Sequence, residues 1–199
     1  MTVRKPGRPK AQQLNISSEN IIAKAIEILN EKGIEQLSMR LIAKEMVITP
    51  MALYHYFADK NALIKAIGNT LYHSINATDV IGACSKIEIL LLRYREKVIQ
   101  YPQITLAIFN TSVLFPEQAI RITKELIQLL TEVGLSTKQA TQWGHILIDY
   151  THGEALATST LLHNEHQVDE KIRYAQENYT EALKTLLEIS IGQDPIGSG

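Results

Sequence analysis

Residues 38–60, SMRLIAKEMVITPMALYHYFADK, hold the feature that most constrains this chain. They carry two helix-start signals separated by a single short helix. Ser38 is a good N-cap, because its hydroxyl can take a free backbone N–H of the first turn. Leu41, Ile42, Ala43 and Met46 follow at helical spacing and give an apolar stripe. Val47 and Ile48 carry the chain round. Thr49 then supplies a second hydroxyl cap, and Pro50 brings a preset φ to the first helical position. Leu53 and Phe57 face inward at i, i+4, which leaves Pro50, Met51, Ala52, Tyr54, His55 and Tyr56 available to a partner. A helix-turn-helix that presents its second helix has the shape that enters a DNA major groove.

The same run resembles the DNA-binding segment of the tetracycline-repressor (TetR/AcrR-type) family of bacterial regulators. That family has a first helix, a helix-turn-helix, and an LYxxF-like motif followed by a Lys and a fourth helix. Here the motif stands as Leu53, Tyr54, His55, Tyr56 and Phe57, then Asp59 and Lys60. The likeness runs over residues 17 to about 76, and beyond them only by helix pattern. One position departs. Val47 stands where the family often has Gly, and a β-branched residue is poor at φ > 0, so the turn is expected to be altered or strained. The resemblance implies that Arg40 contacts base or phosphate, that Tyr54 and Tyr56 send hydroxyls to phosphates, that His55 helps read sequence, and that Lys60 contacts phosphate. Residue chemistry adds Met51 and Ala52 against thymine methyls, and Thr49 offering a hydroxyl or N–H to phosphate. Leu53, Phe57, Ala43 and Ile48 are core.

Charge patterning points the same way. The chain of 199 residues has net charge −1, but residues 1–60 hold nine Lys+Arg against six Asp+Glu, a net of +3. Residues 61–199 hold eleven against fifteen, a net of −4. The basic end is the helix-turn-helix end. Within it, RKPGRPK places Gly7-Arg8-Pro9 between basic residues and resembles the core of an AT-hook, whose arginine (here Arg8) lies in a narrow A·T minor groove. The other reading of this tail is a basic segment with non-specific phosphate attraction. There is no run of 18 apolar residues, no apolar signal-peptide core at the N-terminus, and a single cysteine, Cys84. These predict a cytoplasmic protein with no membrane association.

An all-α fold of about nine helices is expected, with no strand pattern and no repeat. The helices are placed at about 17–32, with Gly33 as C-terminal cap, the pair within 38–60, and at about 59–76, 86–101, 103–109, 116–134, 136–163 and 168–191. Residues 1–16 read as a flexible basic tail, 17–60 as the helix-turn-helix domain, 61–192 as a helical effector-binding and dimerisation domain, and 193–199 as a frayed tail. In the helix at 116–134, Ala119, Ile120, Thr123, Ile127 and Leu130 are expected to face inward. The last helix spaces Val168, Ile172, Ala175, Tyr179, Ala182, Leu186 and Ile189 as an a/d seam. The helix before it offers small residues that include Gly144, Thr151 and Ala155. Both stripes are read as a homodimer interface, against internal packing as the alternative. The resemblance implies a four-helix bundle of these helices across a two-fold axis. Two reading heads so related would suit a palindrome with half-sites roughly 34–36 Å apart, or a multiple of that.

An effector pocket is expected among the helices of the larger domain, with Tyr72, His73, Tyr94, Tyr101, Phe109, Trp143 and His152 as its aromatic and polar candidates. Aromatics at helical spacing are more often core residues. The stretch from LLRYRE to THGEALA is similar to the tetracycline-repressor body, yet Tyr101 and Ala157 stand where that body has its metal–drug ligands. A different, apolar or aromatic effector is therefore expected. His145, Asp149 and His152 share a helix face at i, i+4, i+7, but nothing supplies a fourth ligand, so no metal and no cofactor are expected. Cys84 has no evident base and there is no phosphate loop, so no enzyme is expected. The chain is read as a dimeric DNA-binding transcriptional regulator. It is expected to act as a repressor on a palindromic operator, released by a small molecule. The alternatives are a ligand-dependent activator on the same fold and a helical interaction protein.

Overall fold

The computed structural model describes residues 16–110, 115–162 and 168–192. Among them lie nine helices and no strand: α1 Ser18–Lys32, α2 Met39–Glu45, α3 Pro50–Tyr54, α4 Lys60–Tyr72, α5 Ala83–Gln100, α6 Pro102–Asn110, α7 Glu117–Glu132, α8 Thr137–Leu162 and α9 Val168–Gly192. The chain divides into two compact units between Asp59 and Lys60.

In the first unit, the head, three side-chain oxygens start three helices. Ser17 accepts from Asn20 N at 3.2 Å, Ser38 from Leu41 N at 3.2 Å and Thr49 from Ala52 N at 3.4 Å. Gly33, at φ 77°, closes α1 by donating its N–H to Leu29 O. Ile21, Ala25 and Ile28 of α1 bury against a core that includes Leu37, Met39, Ile42, Ala43, Leu53 and Phe57.

The turn between α2 and α3 is a Schellman motif. Ile48 N–H reaches back to Ala43 O at 2.9 Å and Val47 N–H to Lys44 O at 3.1 Å. That pattern needs a left-handed residue after the cap, and the residue is Val47, at φ 55°. An L-residue with a Cβ pays roughly 1–2 kcal/mol for this conformation. Val47 is 82% exposed, so packing recovers little of it. Glycine would remove the strain but add about 0.5–1 kcal/mol of unfolded-chain entropy. Val47→Gly is therefore expected to stabilise the head by up to about 1 kcal/mol. Slower amide exchange across α2 and α3 would show it, and faster exchange would mean that Val47 has compensating contacts.

In the second unit α8 packs on α5 and α7, and α9 packs on α8 and α5. Ile87, Leu90, Leu91 and Val98 of α5, Ile122, Leu126 and Leu130 of α7, Ala140, Leu147 and Ala155 of α8, and Leu183 and Leu187 of α9 fill the interior. The helices α4 and α7 cap one another. Asn69 Oδ1 accepts the Gln118 N–H of the first turn of α7, which has no side-chain cap of its own. Arg121 in turn donates to the carbonyls of Tyr72 and Ile75 at the end of α4. The helix α4 ends at Tyr72 rather than near residue 76, and the guanidinium of Arg121 holds the chain just after that end. The next helix starts at Ala83, three residues earlier than expected, because Gly82 turns the chain at φ 89° and its carbonyl accepts from Lys86 N.

Three expectations about helix faces change. On α7 the buried stripe is Ile122, Leu126, Leu129 and Leu130, while Ile120 is 42% exposed. On α8 the small residues Gly144, Thr151 and Ala155 are buried within the subunit rather than presented at a dimer face. A Cβ at Gly144 would meet Ile127 Cγ1 at 2.7 Å, so this glycine is what lets α7 and α8 approach. On α9 the stripe buried inside the chain is Tyr179, Leu183, Leu187 and Ser190, and Tyr179 belongs to it fully. Ile172, Ala175, Ala182 and Leu186 are half-buried and Ile189 is exposed.

One polar knot ties α5, α8 and α9 together. Arg95, 3% exposed, forms a two-pronged ion pair with Glu154, donates to Thr158 Oγ1, and lies over the Tyr179 ring with 4.9 Å to the centroid. Tyr179 also stacks on Tyr150 and shares a 2.8 Å hydrogen bond with Thr151.

Candidate nucleic-acid interface and effector site

The head offers two kinds of cation. Lys24 pairs with Glu27, and Lys32 with Glu45 at 2.8 Å; the second pairing raises the Lys32 pKa and lowers that of Glu45. Among the described residues of the head, Arg40 and Lys44 are left without an ion pair, and both are exposed. Arg40 is the second residue of α2, so it stands in that helix's first turn.

The short helix α3 presents Pro50, Met51 and Tyr54 outward, with His55 following it; Met51 is 67% and Tyr54 48% exposed. Ala52 is half-buried, and its N–H already bonds the exposed Thr49 hydroxyl, which still has its own proton to give a partner. Tyr56 departs from expectation. Its hydroxyl donates to Ile16 O at 2.7 Å, which spends its one proton on holding the start of α1. It is a tie within the head rather than a free phosphate donor. Lys60 is half-buried and opens α4 in the second unit. Arg8 lies outside the described residues.

In the second unit a file of aromatic rings joins four helices. The Tyr72 ring of α4 meets Tyr94 of α5 edge-on at 5.5 Å. Tyr94 meets His152 of α8 at 5.4 Å, His152 meets Phe109 of α6 at 4.8 Å, and Phe109 meets Phe115 at 5.9 Å. Hydrogen bonds run through the same groups: Tyr72 Oη to Thr105 Oγ1 at 3.2 Å and Tyr94 Oη to His152 Nε2 at 2.6 Å. Burial pushes both phenols up and His152 down, the latter opposed by the charge of Asp149, so all three groups are neutral near pH 7. Phe109 and Phe115 are 44% and 43% exposed and form the open end of the file.

Of the seven pocket candidates read from sequence, the structure brings together Tyr72, Tyr94, Phe109 and His152. His73 is exposed, and Tyr101 and Trp143 are half-buried outside these ring contacts. Sequence reading missed Thr105 and Phe115; the latter sits at the end of a segment read as a plain loop. His145 and Asp149 are exposed while His152 turns inward, so the three do not converge on a metal. Open grooves along α7 and α9 are each walled by one helix alone, such as Arg173, Glu177 and Glu181 on α9, and cannot enclose a small molecule.

Comparison with known proteins follows this division. Residues 21–67 match the model of bacterial regulatory proteins of the tetR family, and residues 84–190, more than half of the chain, match the tetracyclin repressor-like C-terminal domain. The chain belongs to the tetR family of bacterial regulatory proteins. Among similar proteins, the uncharacterised HTH-type transcriptional regulator YvdT of Bacillus subtilis is 41% identical over 59 residues, 29% of this chain and 30% of the relative. The HTH-type transcriptional regulator UidR of Escherichia coli is 47% identical over 47 residues, 24% of each chain. The chain thus matches only about a quarter to a third of the length of these relatives.

Whole-chain likeness is structural. Mycobacterium smegmatis BioQ aligns over 90% of this chain and 99% of its own, with TM-score 0.78 and 21% identity. A tetracycline repressor variant from Acinetobacter baumannii, solved with minocycline, aligns over 88% and 98%, with TM-score 0.69 and 18% identity. Identities this low establish the shared fold alone. Among the described residues no helix is long and apolar enough to cross a membrane.

Proposed function

We propose that the chain acts as a homodimeric repressor that binds a palindromic operator and is released by a small apolar or aromatic molecule. The observation that carries the reading is the outward face of the head. Unpaired Arg40 on α2 and solvent-facing Met51, Tyr54 and His55 in and after α3 have no burial to explain them, and residues 1–60 carry a net charge of +3. A solved BioQ structure holds its double-stranded DNA operator, which supports a DNA-reading role for a fold of this kind.

The dimer is supported by apolar surface left on the last two helices. Ile146 and Leu161 of α8 and Tyr174, Ile189 and Ile191 of α9 are 40–66% exposed, and Ile172, Ala175, Ala182 and Leu186 are only half covered. With Gly144, Thr151, Ala155 and Tyr179 turned inward, this second face of α9 is the one left for a partner. The effector is supported by the aromatic file, which reaches α4 through Tyr72. A molecule seated there bears on the helix that follows the head in the chain. It releases the operator only if it binds the non-DNA state better.

Selection of bound sequences from random duplex DNA, at low salt and again at moderate salt, tests the reading. The expected result is an enriched two-fold palindrome whose binding falls steeply with salt. Absence of enrichment at low salt would favour a helical interaction protein instead. A·T enrichment at the flanks would support a minor-groove role for Arg8.

A further inference from the structure

His152 is bound on one side only. Its Nε2 lies 2.6 Å from Tyr94 Oη, while its Nδ1 is buried with no hydrogen-bond partner. A phenol is a good donor and a weak acceptor, and the bare nitrogen of a neutral imidazole is a good acceptor. The short contact is therefore Tyr94 donating to Nε2, which fixes the ring proton on Nδ1. The result is a buried N–H with nothing to receive it, in a setting where buried donors are nearly always paired. Against the imidazole stand the rings of Tyr94, on the Nε2 side, and of Phe109, with Phe115 beyond, and no member of the file carries an ionised side chain. The nearby charged group, Asp149, is an exposed carboxylate on α8, whose negative charge disfavours an anionic ligand.

We propose that His152 Nδ1–H is the polar anchor of the effector site, and that the site takes an uncharged aromatic molecule bearing a carbonyl-type oxygen. The ring of such a molecule lies among Phe109, Phe115 and Tyr94, and its oxygen accepts from Nδ1. Tyr94 is a positioning residue that sets the tautomer. Tyr72, edge-on to Tyr94, carries the displacement into α4. The inference rests on the effector-release reading for its consequence, but not for its chemistry.

The test uses the full chain with 15N-labelled histidine and long-range proton–nitrogen NMR, with His152 assigned by loss of its signals in His152→Gln. Wild type is expected to show the Nδ1–H form, and Tyr94→Phe to shift the ring toward Nε2–H. Acetophenone and ethylbenzene, which differ by the carbonyl oxygen, are then titrated. Acetophenone is expected to bind roughly five- to tenfold tighter, about the worth of one hydrogen bond, and to move the Nδ1 resonance. His152→Phe is expected to equalise the two. An Nε2–H tautomer in wild type, equal binding of the two probes, or binding of neither overturns the proposal. Operator release is scored separately. Acetophenone bound at His152 with the operator still held leaves the subsite standing and counts against the release mechanism.

Discussion

Replacing Glu154 by alanine is expected to lower the stability of the second unit by about 3–5 kcal/mol, the cost of stranding a buried charge. The magnitude follows from the partner rather than from Glu154 itself. Arg95 is 3% exposed, and its other contacts, the Thr158 hydroxyl and the Tyr179 ring, are uncharged. Without the carboxylate the guanidinium must stay desolvated and unpaired, or drag α5, α8 and α9 apart to reach water. Glu154→Gln keeps an acceptor but loses the charge, and is expected to fall between alanine and wild type. The informative control is the pair Arg95→Met with Glu154→Leu, which removes both charges and keeps volume. That double variant is expected to recover most of the loss, since apolar replacements of buried pairs are often neutral or better. Urea unfolding of the four proteins measures it. A loss below about 1 kcal/mol for Glu154→Ala would mean the site behaves as a surface ion pair.

What the sequence made legible was local. Ser38 and Thr49 cap helices with bonds that span three residues, so their roles follow from adjacency. The strain at Val47 was readable through the resemblance, because the family often has Gly at that turn position, and Val47 stands there at φ 55°. Long-range partnerships were not readable. Arg95 and Glu154 are 59 residues apart. Each looks like a solvated helix charge until the fold brings them together. Tyr56 looked like a phosphate donor because its partner, Ile16 O, is 40 residues away and is a backbone atom with no residue-type signature.

Faces of apolar-rich helices were illegible for a different reason. Helix α9 carries two overlapping stripes that share Tyr179. Periodicity finds both, and only packing decides that Leu183 and Leu187 go inward. The small residues of α8 posed the same problem. A glycine permits close approach of a helix without saying which one, and Gly144 turned out to face α7. In the aromatic file, Tyr72, Tyr94, Phe109 and His152 were found by type. Which of the seven candidates touch one another depends on helix rotation, which residue type does not encode.

Arg40→Ala and Tyr54→Ala are each expected to weaken operator binding by about 1–3 kcal/mol, roughly five- to 150-fold, while the oligomeric state and the thermal stability stay as they are. The separation of binding from folding is what the structure contributes. Both side chains are exposed, and neither makes an ion pair or hydrogen bond among the described residues, so truncation removes nothing from the core. Tyr56→Phe is the opposite case. It removes the bond to Ile16 O and leaves the exposed ring, so it is expected to loosen the start of α1 more than it weakens DNA binding. The two arginine roles also separate. If Arg40 neutralises a phosphate, Arg40→Ala lowers affinity for all sequences alike and reduces the salt slope by about one. If it reads a base, the salt dependence changes less and discrimination is lost at one position of each half-site. Titrations of the selected operator and its single-base variants at several salt concentrations decide between them. Unchanged affinity in both Arg40→Ala and Tyr54→Ala would count against a reading face on α2 and α3, since each helix would then have lost an exposed side chain at no cost to binding.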